Sequence, residues 1–257
     1  MEYNTKIIDY GDYLHIQYYD RTLSRVDFPD YIQKQFDQDE KDTIINDLKV
    51  DSEEKQVHNI KTSLNRSKNN LYRIARSNEW DLFITITFDQ KLTDSSNFEE
   101  VSKKITTFLN NLRKRGSPDL KYLIVPELHK DKQHYHFHGL ISNAPSLDLV
   151  DSGHVDKAGD IIYNIYNWKI GFTTAMKIKS QAAVRNYIGK YITKDLMQKL
   201  KYKKRYFASK NVYICPEEYK MLHLEDIYDQ YADNISFAKT VTINGIQRIK
   251  YFEVKKV

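Results

Sequence analysis

The stretch of the chain that most constrains its fold is Tyr135–Ile141, which reads Tyr-His-Phe-His-Gly-Leu-Ile. Alternate side chains of a strand share one face, so this pattern predicts a buried strand with His136 and His138 on one face and apolar residues on the other. A neighbouring strand is predicted at Tyr122–Val125, and Glu127 follows it. Two imidazoles and one carboxylate form an open ligand set that suits a divalent ion. The segment therefore predicts a metal or phosphate site on a sheet.

The histidines are concentrated in this part of the chain. Four of the eight lie between His129 and His138. A strand histidine among apolar neighbours is commonly a satisfied core or surface residue, and the concentration favours a ligand role over that explanation. His134 continues the alternation, but it follows a polar loop. Its role stays open between ligand and loop residue.

The segments around the histidine strand predict an α+β protein. Mostly short connections between the strands indicate one antiparallel sheet with helices on one side. In the basic helix, Leu71, Ile74 and Ala75 form an apolar stripe, and the basic residues are expected outside. The predicted elements are a hairpin of Lys6–Tyr10 and Tyr13–Tyr18, a loop or weak helix over residues 31–60, a basic helix from about Lys61 with Ser63 as its cap and with Arg66, Lys68, Arg73 and Arg76, a strand over Trp80–Phe88, a helix over residues 96–115, the two strands named above, a polar loop over residues 142–160, a strand over Ile161–Tyr166, a short strand ending at Ile178, a helix over Ser180–Leu200, and an acidic helix followed by a hairpin of Thr240–Thr242 and Ile246–Val254 that turns at Asn244-Gly245.

The helix predicted at Ser180–Leu200 contains the pattern Tyr-x-x-Lys twice in succession. At about 100° per residue, Tyr187, Lys190, Tyr191 and Lys194 share about 100° of arc. A phenol is a poor nucleophile at neutral pH, but nearby ammonium groups favour phenolate and neutralise phosphate, and a metal polarises phosphorus. Together with the histidines, the pattern predicts nucleophilic attack on a phosphodiester; the alternative is that both tyrosines lie at a packing edge. A separate apolar stripe is expected to face the sheet, formed by Val184, Ile188, Ile192 and Leu196.

Charge and aromatic content agree with a nucleic-acid partner without requiring one. Lys and Arg number 40 against 35 Asp and Glu, so the net charge is only +5. The 20 tyrosines interleaved with lysines suit stacking on unpaired bases, although a coding bias toward Tyr, Lys, Asn and Ile explains their number equally well. The predicted DNA contacts are concentrated in and before the run KLKYKKR: Arg185, Lys199, Lys201, Lys203, Lys204 and Arg205.

Several classes of protein are disfavoured by composition. Cys215 is the single cysteine, which excludes an internal disulfide and a cysteine-rich zinc site. No run approaches the roughly 18 apolar residues of a membrane span, and no signal-peptide core begins the chain. We therefore expect a soluble cytoplasmic protein.

Taken together, the motifs resemble the HUH endonucleases, in particular the rolling-circle replication initiators of phages and plasmids. The resemblance covers about residues 70–210. Its parts are Phe83–Phe88 (Phe-Ile-Thr-Ile-Thr-Phe), Pro126-Glu127 with His136–Leu140 as a metal motif, Trp168–Gly171, and Tyr187–Lys194 as a two-tyrosine motif.

The resemblance implies a central antiparallel sheet of the HUH type, ferredoxin- or RRM-like, with helices packed on it. It implies Mg²⁺ or Mn²⁺ bound by His136, His138 and Glu127. Tyr187 first and Tyr191 second would attack DNA, leaving a 5′-phosphotyrosyl link and a free 3′-OH. The implied partners are single-stranded or hairpin origin DNA and a host polymerase. A host helicase is also implied, because no Walker A pattern follows.

The same reading divides the chain into an accessory segment (residues 1–60), a nicking domain (61–215) and an extension (216–257), in a bacterial cytoplasm. The end segments match no family element, so origin recognition and self-association are both open for them, as is the oligomeric state. Three rival functions remain: an HUH transposase or relaxase, a non-catalytic single-stranded DNA-binding domain, and a hydrolytic metal nuclease without a covalent link.

Overall fold

The computed structural model describes residues 1–24, 53–181, 183, 188–191, 200, 205–243 and 247–256. The chain forms two compact units, one of residues 53–214 and one that joins residues 1–52 to 215–257. The elements are β1 (Glu2–Asp9), β2 (Tyr13–Ser24), α1 (Glu53–Arg76), β3 (Leu82–Ile86), α2 (Phe98–Lys114), β4 (Lys121–Leu128), β5 (Tyr135–Ser142), β6 (Leu149–Val155), β7 (Ile161–Ile165), β8 (Thr173–Lys177), a 3₁₀ helix (Ile188–Tyr191), β9 (Phe207–Ala208), β10 (Glu217–Lys220), α3 (Leu224–Tyr231), a second 3₁₀ helix (Ala232–Asn234), β11 (Ile235–Ile243) and β12 (Gln247–Lys255).

The unit of residues 53–214 is built on a seven-stranded sheet of order β6-β7-β8-β3-β5-β4-β9, and the pairings are antiparallel. The histidine strand β5 lies inside the sheet, between β3 and β4. The α+β class and the antiparallel sheet are therefore confirmed.

One face of this sheet is covered by α2. Asn97 caps this helix by accepting hydrogen bonds from the backbone N–H groups of Glu99 and Glu100. The predicted apolar positions of α2 are all buried, and they pack with sheet residues such as Ile84 and Phe137. The buried α2 positions are Phe98, Val101, Ile105, Phe108, Leu109 and Leu112.

The opposite face is covered by α1 and the 3₁₀ helix Ile188–Tyr191. Leu71 and Ile74 of α1 pack there with Phe83 of β3 and Leu140 of β5. The prediction of helices on one side of the sheet is therefore wrong. Its physical reason is that β3 and β5 bury both alternating sets of side chains, so each face of the sheet needs an apolar cover.

Two further boundaries differ from the predictions. Helix α1 begins at Glu53, so Ser63 lies within the helix and does not cap it. Arg76 was expected outside, but it is only 5% exposed and its guanidinium lies 4.9 Å from the ring centroid of Tyr72. The polar segment 142–160 contains a strand, β6, which pairs with β7 and has few buried side chains to signal it.

The second unit joins the two ends of the chain in a five-stranded antiparallel sheet of order β10-β1-β2-β12-β11. The predicted N-terminal hairpin is confirmed as β1 and β2, with Gly11 at φ +90° in the turn. Ile16 and Phe252 pack with Ile227 of α3 in its core. The C-terminal helix and hairpin are also present, but the proposed turn at Asn244-Gly245 lies outside the described residues.

Candidate metal centre

Three potential metal ligands converge on the α1 face of the seven-stranded sheet. In the register of β4 and β5, Glu127 lies opposite His136, and His138 follows two residues later on the same face. The ligand atoms of Glu127, His136 and His138 all lie within 4.8 Å of one another. Oε2 of Glu127 is 2.7 Å from Nε2 of each histidine. The structure thus brings together the three residues predicted as ligands.

The donor set and its charge fit a divalent ion. Burial acts to raise the pKa of Glu127, but hydrogen bonds from the two imidazoles outweigh it and lower the pKa to about 2. Burial lowers the pKa of His138, and this outweighs the opposing effect of the Glu127 carboxylate. An ionised carboxylate and a neutral imidazole are the forms that bind metal. The identity of the metal does not follow from these three residues.

Thr85 holds the other side of the His138 ring. It is the register partner of His138 on β3, and its Oγ1 lies 3.1 Å from Nδ1 of the imidazole. A hydroxyl donates or accepts, so this contact suits either neutral tautomer. The sequence reading did not include Thr85 among the site residues. The available signal was the alternation of threonines in Phe83–Phe88.

Tyr191 stacks directly on the metal cluster. Its ring is nearly parallel to the His138 imidazole, with centroids 3.7 Å apart and 12° between the planes. Burial, and then the charge of Glu127, raise the pKa of Tyr191, which is only 4% exposed. The ammonium of Lys190 lies 4.8 Å from the Tyr191 ring centroid. Two of the four predicted catalytic residues therefore lie beside the cluster.

The helical-wheel prediction separates Tyr191 from Ile188, but the structure buries both. The reason is local geometry: they lie in a 3₁₀ helix, where residues three apart share one side. Tyr187 and Lys194, the other two predicted catalytic residues, lie outside the described residues. The same is true of most of the predicted helix Ser180–Leu200.

Of the predicted DNA contacts, Arg205 is described. Its guanidinium donates to the backbone carbonyl of Ser63 at 3.2 Å and to Oγ of Ser67 at 2.9 Å, so Arg205 fastens the chain to α1. His134 precedes β5 and pairs with Asp131 of its own loop, with 2.6 Å between Nδ1 and Oδ2. The remaining predicted contacts lie outside the described residues: Arg185, Lys199, Lys201, Lys203 and Lys204.

The two units differ strongly in charge. Residues 53–214 contain 28 Lys and Arg against 16 Asp and Glu, a formal charge of +12. The unit of the chain ends contains 12 against 19, a formal charge of −7. The overall charge of +5 therefore conceals a basic unit that carries the metal cluster. Among the helices that the structure describes, none is long and apolar enough to cross a membrane.

Comparison with known proteins points to DNA replication. Residues 81–196 match the family model described as Replication-associated protein ORF2. The matched segment begins just before β3 and includes Glu127, His136, His138 and Tyr191. No curated protein and no solved structure gives a significant match to the chain. The similarity supports a replication-associated protein.

Proposed function

We propose that this chain is a replication initiator that nicks single-stranded DNA by attack of a tyrosine on a phosphodiester. The observation that carries the proposal is the cluster of Glu127, His136 and His138 with the ring of Tyr191 3.7 Å from His138. The similarity of residues 81–196 to replication-associated proteins supports the biological role.

The proposed reaction is a transesterification. A tyrosine oxygen loses its proton and forms a bond to phosphorus, the bond to the 3′ oxygen breaks, and that oxygen takes up a proton. The products are a 5′-phosphotyrosyl link and a free 3′-OH. Mg²⁺ or Mn²⁺ held by the three ligands would polarise the phosphate. We assign the first attack to Tyr187 and the second to Tyr191.

Charge supports the same assignment. The basic unit would attract the polyanionic strand, and Lys190 and Lys194 would offset phosphate charge near the tyrosines. We propose residues 61–215 as the nicking domain and the end segments as origin-reading or self-associating parts. The protein would act in a bacterial cytoplasm on single-stranded or hairpin origin DNA, with a host helicase and polymerase extending the free 3′-OH.

The test is a covalent-adduct assay. The purified chain is incubated with a library of single-stranded oligonucleotides and Mn²⁺, and adducts are resolved on a denaturing gel. We expect an adduct that disappears with EDTA, with the double change Tyr187→Phe and Tyr191→Phe, and with His136→Ala, which also loses metal binding. Absence of any adduct from the wild-type chain contradicts the proposal. Sequencing the linked strand reports the nick site.

The burial of Tyr191 favours one alternative, a domain that binds single-stranded DNA without cutting it, because a phenol only 4% exposed is poorly placed to reach phosphorus. That function gives binding but no adduct. A hydrolytic metal nuclease gives cleavage that survives the double phenylalanine change. A transposase or relaxase of the same chemistry differs in the DNA end that it selects from the library.

A further inference from the structure

We propose that Phe172 is a stacking platform for a nucleobase of the DNA strand held at the metal cluster. This inference rests on the proposed function only in that single-stranded DNA binds at this site. Nothing in the sequence reading selected Phe172, which follows the motif Trp168–Gly171.

The strand register places Phe172 on the same face as the metal ligands. The ladder of β3 and β8 pairs Ile86 with Thr173, and the N–H of Thr87 donates to the carbonyl of Phe172 at 2.9 Å, which continues that ladder by one residue. Ile86 and Thr173 are both buried on the α2 side. By alternation, Thr87 and Phe172 therefore lie on the face of His136 and His138.

The same register gives the distance from the cluster. Thr85 lies opposite His138 in β5, so Thr87, two residues later, lies level with His136. Phe172 is one strand further across the sheet. At about 4.8 Å between neighbouring strands, its backbone lies roughly 10 Å from that of His136. A base joined through its sugar to a phosphate at the cluster can cross that gap.

The loop that presents Phe172 is fixed to β3 by several contacts. The indole N–H of Trp168 donates to the carbonyl of Thr87 at 3.0 Å, and the Phe172 N–H donates to Oγ1 of Thr87 at 3.2 Å. A Cβ at Gly171 would lie 2.1 Å from the Thr87 carbonyl oxygen, so only glycine allows this approach. The motif Trp168–Gly171 thereby holds the backbone of Phe172 in place.

The side chain of Phe172 is left 61% exposed despite this anchoring. Single exposed apolar residues are ordinary on protein surfaces, so the exposure alone carries little weight. A rigidly mounted aromatic ring beside a candidate phosphate site, on a unit of charge +12, is the combination that proteins use to hold unpaired bases. The charge selects a polyanionic strand as the occupant in preference to an apolar peptide.

The experiment compares Phe172→Ala and Phe172→Trp with the wild-type full chain. Binding of a fluorescein-labelled oligothymidylate is followed by anisotropy, because stacking accepts any base. We expect the alanine variant to bind roughly 5- to 100-fold more weakly, and the tryptophan variant to bind like the wild type. Trp80 and Trp168 are 1% and 6% exposed, so quenching of tryptophan emission by unlabelled oligothymidylate should be specific to the Phe172→Trp protein.

Tyr213→Ala is the matched control, since Tyr213 is an aromatic residue of the same unit and is 57% exposed. It should bind DNA like the wild type. The melting temperature and Mn²⁺ affinity of Phe172→Ala should stay at wild-type values, which separates base stacking from a folding defect. If Phe172→Ala binds as tightly as this control, or if the emission of Phe172→Trp is unchanged by saturating DNA, the platform is wrong.

These results separate the platform from the nicking reaction. An adduct formed equally well by wild type and Phe172→Ala, with equal DNA affinity, leaves the proposed function standing and removes the platform. Weaker binding by Phe172→Ala in a protein that forms no adduct on any oligonucleotide leaves the platform standing and removes the nicking reaction.

Discussion

The phenol ring of Tyr191 lies flat on the imidazole of His138, 3.7 Å away between centroids. A residue proposed as a nucleophile is thus also a packing partner of a proposed metal ligand. The ring of Phe83 lies 6.0 Å from His138 and 6.3 Å from Tyr191, so the imidazole is confined among aromatic rings. Its orientation, and with it the metal affinity, should depend on the Tyr191 ring and not on the Tyr191 hydroxyl.

Substitutions at Tyr191 separate the two roles. Tyr191→Phe keeps the stacked ring, so we expect Mn²⁺ affinity close to wild type by calorimetry. Tyr191→Ala removes the ring, and we expect affinity to fall about tenfold as His138 gains freedom. The adduct assay on Tyr191→Phe then reports the hydroxyl alone. Equal Mn²⁺ affinity for Tyr191→Ala and wild type would show that the stacking does not orient the ligand.

Thr85 should position His138 from its other ring nitrogen. Thr85→Val removes the hydroxyl at nearly constant volume, and we expect Mn²⁺ affinity to fall by about 10- to 100-fold, the usual range for loss of an outer-shell partner. Thr85→Ser restores the hydroxyl and should recover most of the affinity.

The result that opposes this role is a valine variant that binds Mn²⁺ like the wild type. A second measurement guards against a folding defect. The melting temperature of the metal-free valine variant should differ little from that of the serine variant, because the lost contact is one partly buried hydrogen bond.

Acid stability should report the state of Glu127 in the metal-free protein. Its pKa is lowered from the ordinary value of 4.5 to about 2, so its contribution to stability is complete above pH 4.5 and is lost as the pH falls toward 2. Glu127→Gln should therefore cost about 2 kcal/mol of unfolding free energy at pH 6, and the difference from wild type should shrink below pH 4.5. Urea titrations from pH 3 to 6 measure it.

Asp119→Asn is the matched control for this series, because it removes an exposed carboxylate from the same unit. Its effect should stay small at every pH, as for other surface charges. A Glu127→Gln penalty that is constant from pH 3 to 6 would mean that the carboxylate is not held by the two imidazoles.

Much of the metal centre was predictable because strand alternation is a local property. His136 and His138 share a face by their spacing alone, and Glu127 ends the strand predicted beside them. Thr85 was not predictable as a partner of His138, because their contact depends on the pairing of strands 53 residues apart. Phe172 needed the same information, since only the register with Thr87 places it on the ligand face.

Helix boundaries failed for a different reason. The start of α1 at Glu53 was missed because residues 31–60 are polar and carry little apolar periodicity. Ile188 and Tyr191 were placed on different arcs by a wheel of about 100° per residue, whereas the chain there is a 3₁₀ helix with three residues per turn. Burial of Tyr191 follows from that change of period.

Two glycines of the unit should tolerate a methyl group very differently, and the order tests how the Phe172 loop is held. At Gly171 a Cβ would meet backbone atoms of Thr87 and Phe88 at 2.1 to 2.8 Å, and backbone cannot move aside without shifting β3. At Gly139 the nearest atom is Cδ1 of Ile124 at 2.2 Å, the end of a side chain that can rotate away, and the next is a carbonyl oxygen at 3.3 Å.

We therefore expect Gly171→Ala to lower the unfolding free energy by about 3 kcal/mol and Gly139→Ala by about 1 kcal/mol. Trp80 and Trp168 are the two tryptophans of the chain and both belong to this unit, so urea unfolding followed by tryptophan emission reports the unit alone. Gly171→Ala should also weaken oligothymidylate binding, because the displaced loop carries Phe172 away from the ligand face, whereas Gly139→Ala should not. A Gly171→Ala protein at least as stable as Gly139→Ala would show that the loop has room beside β3 and does not hold Phe172 rigidly.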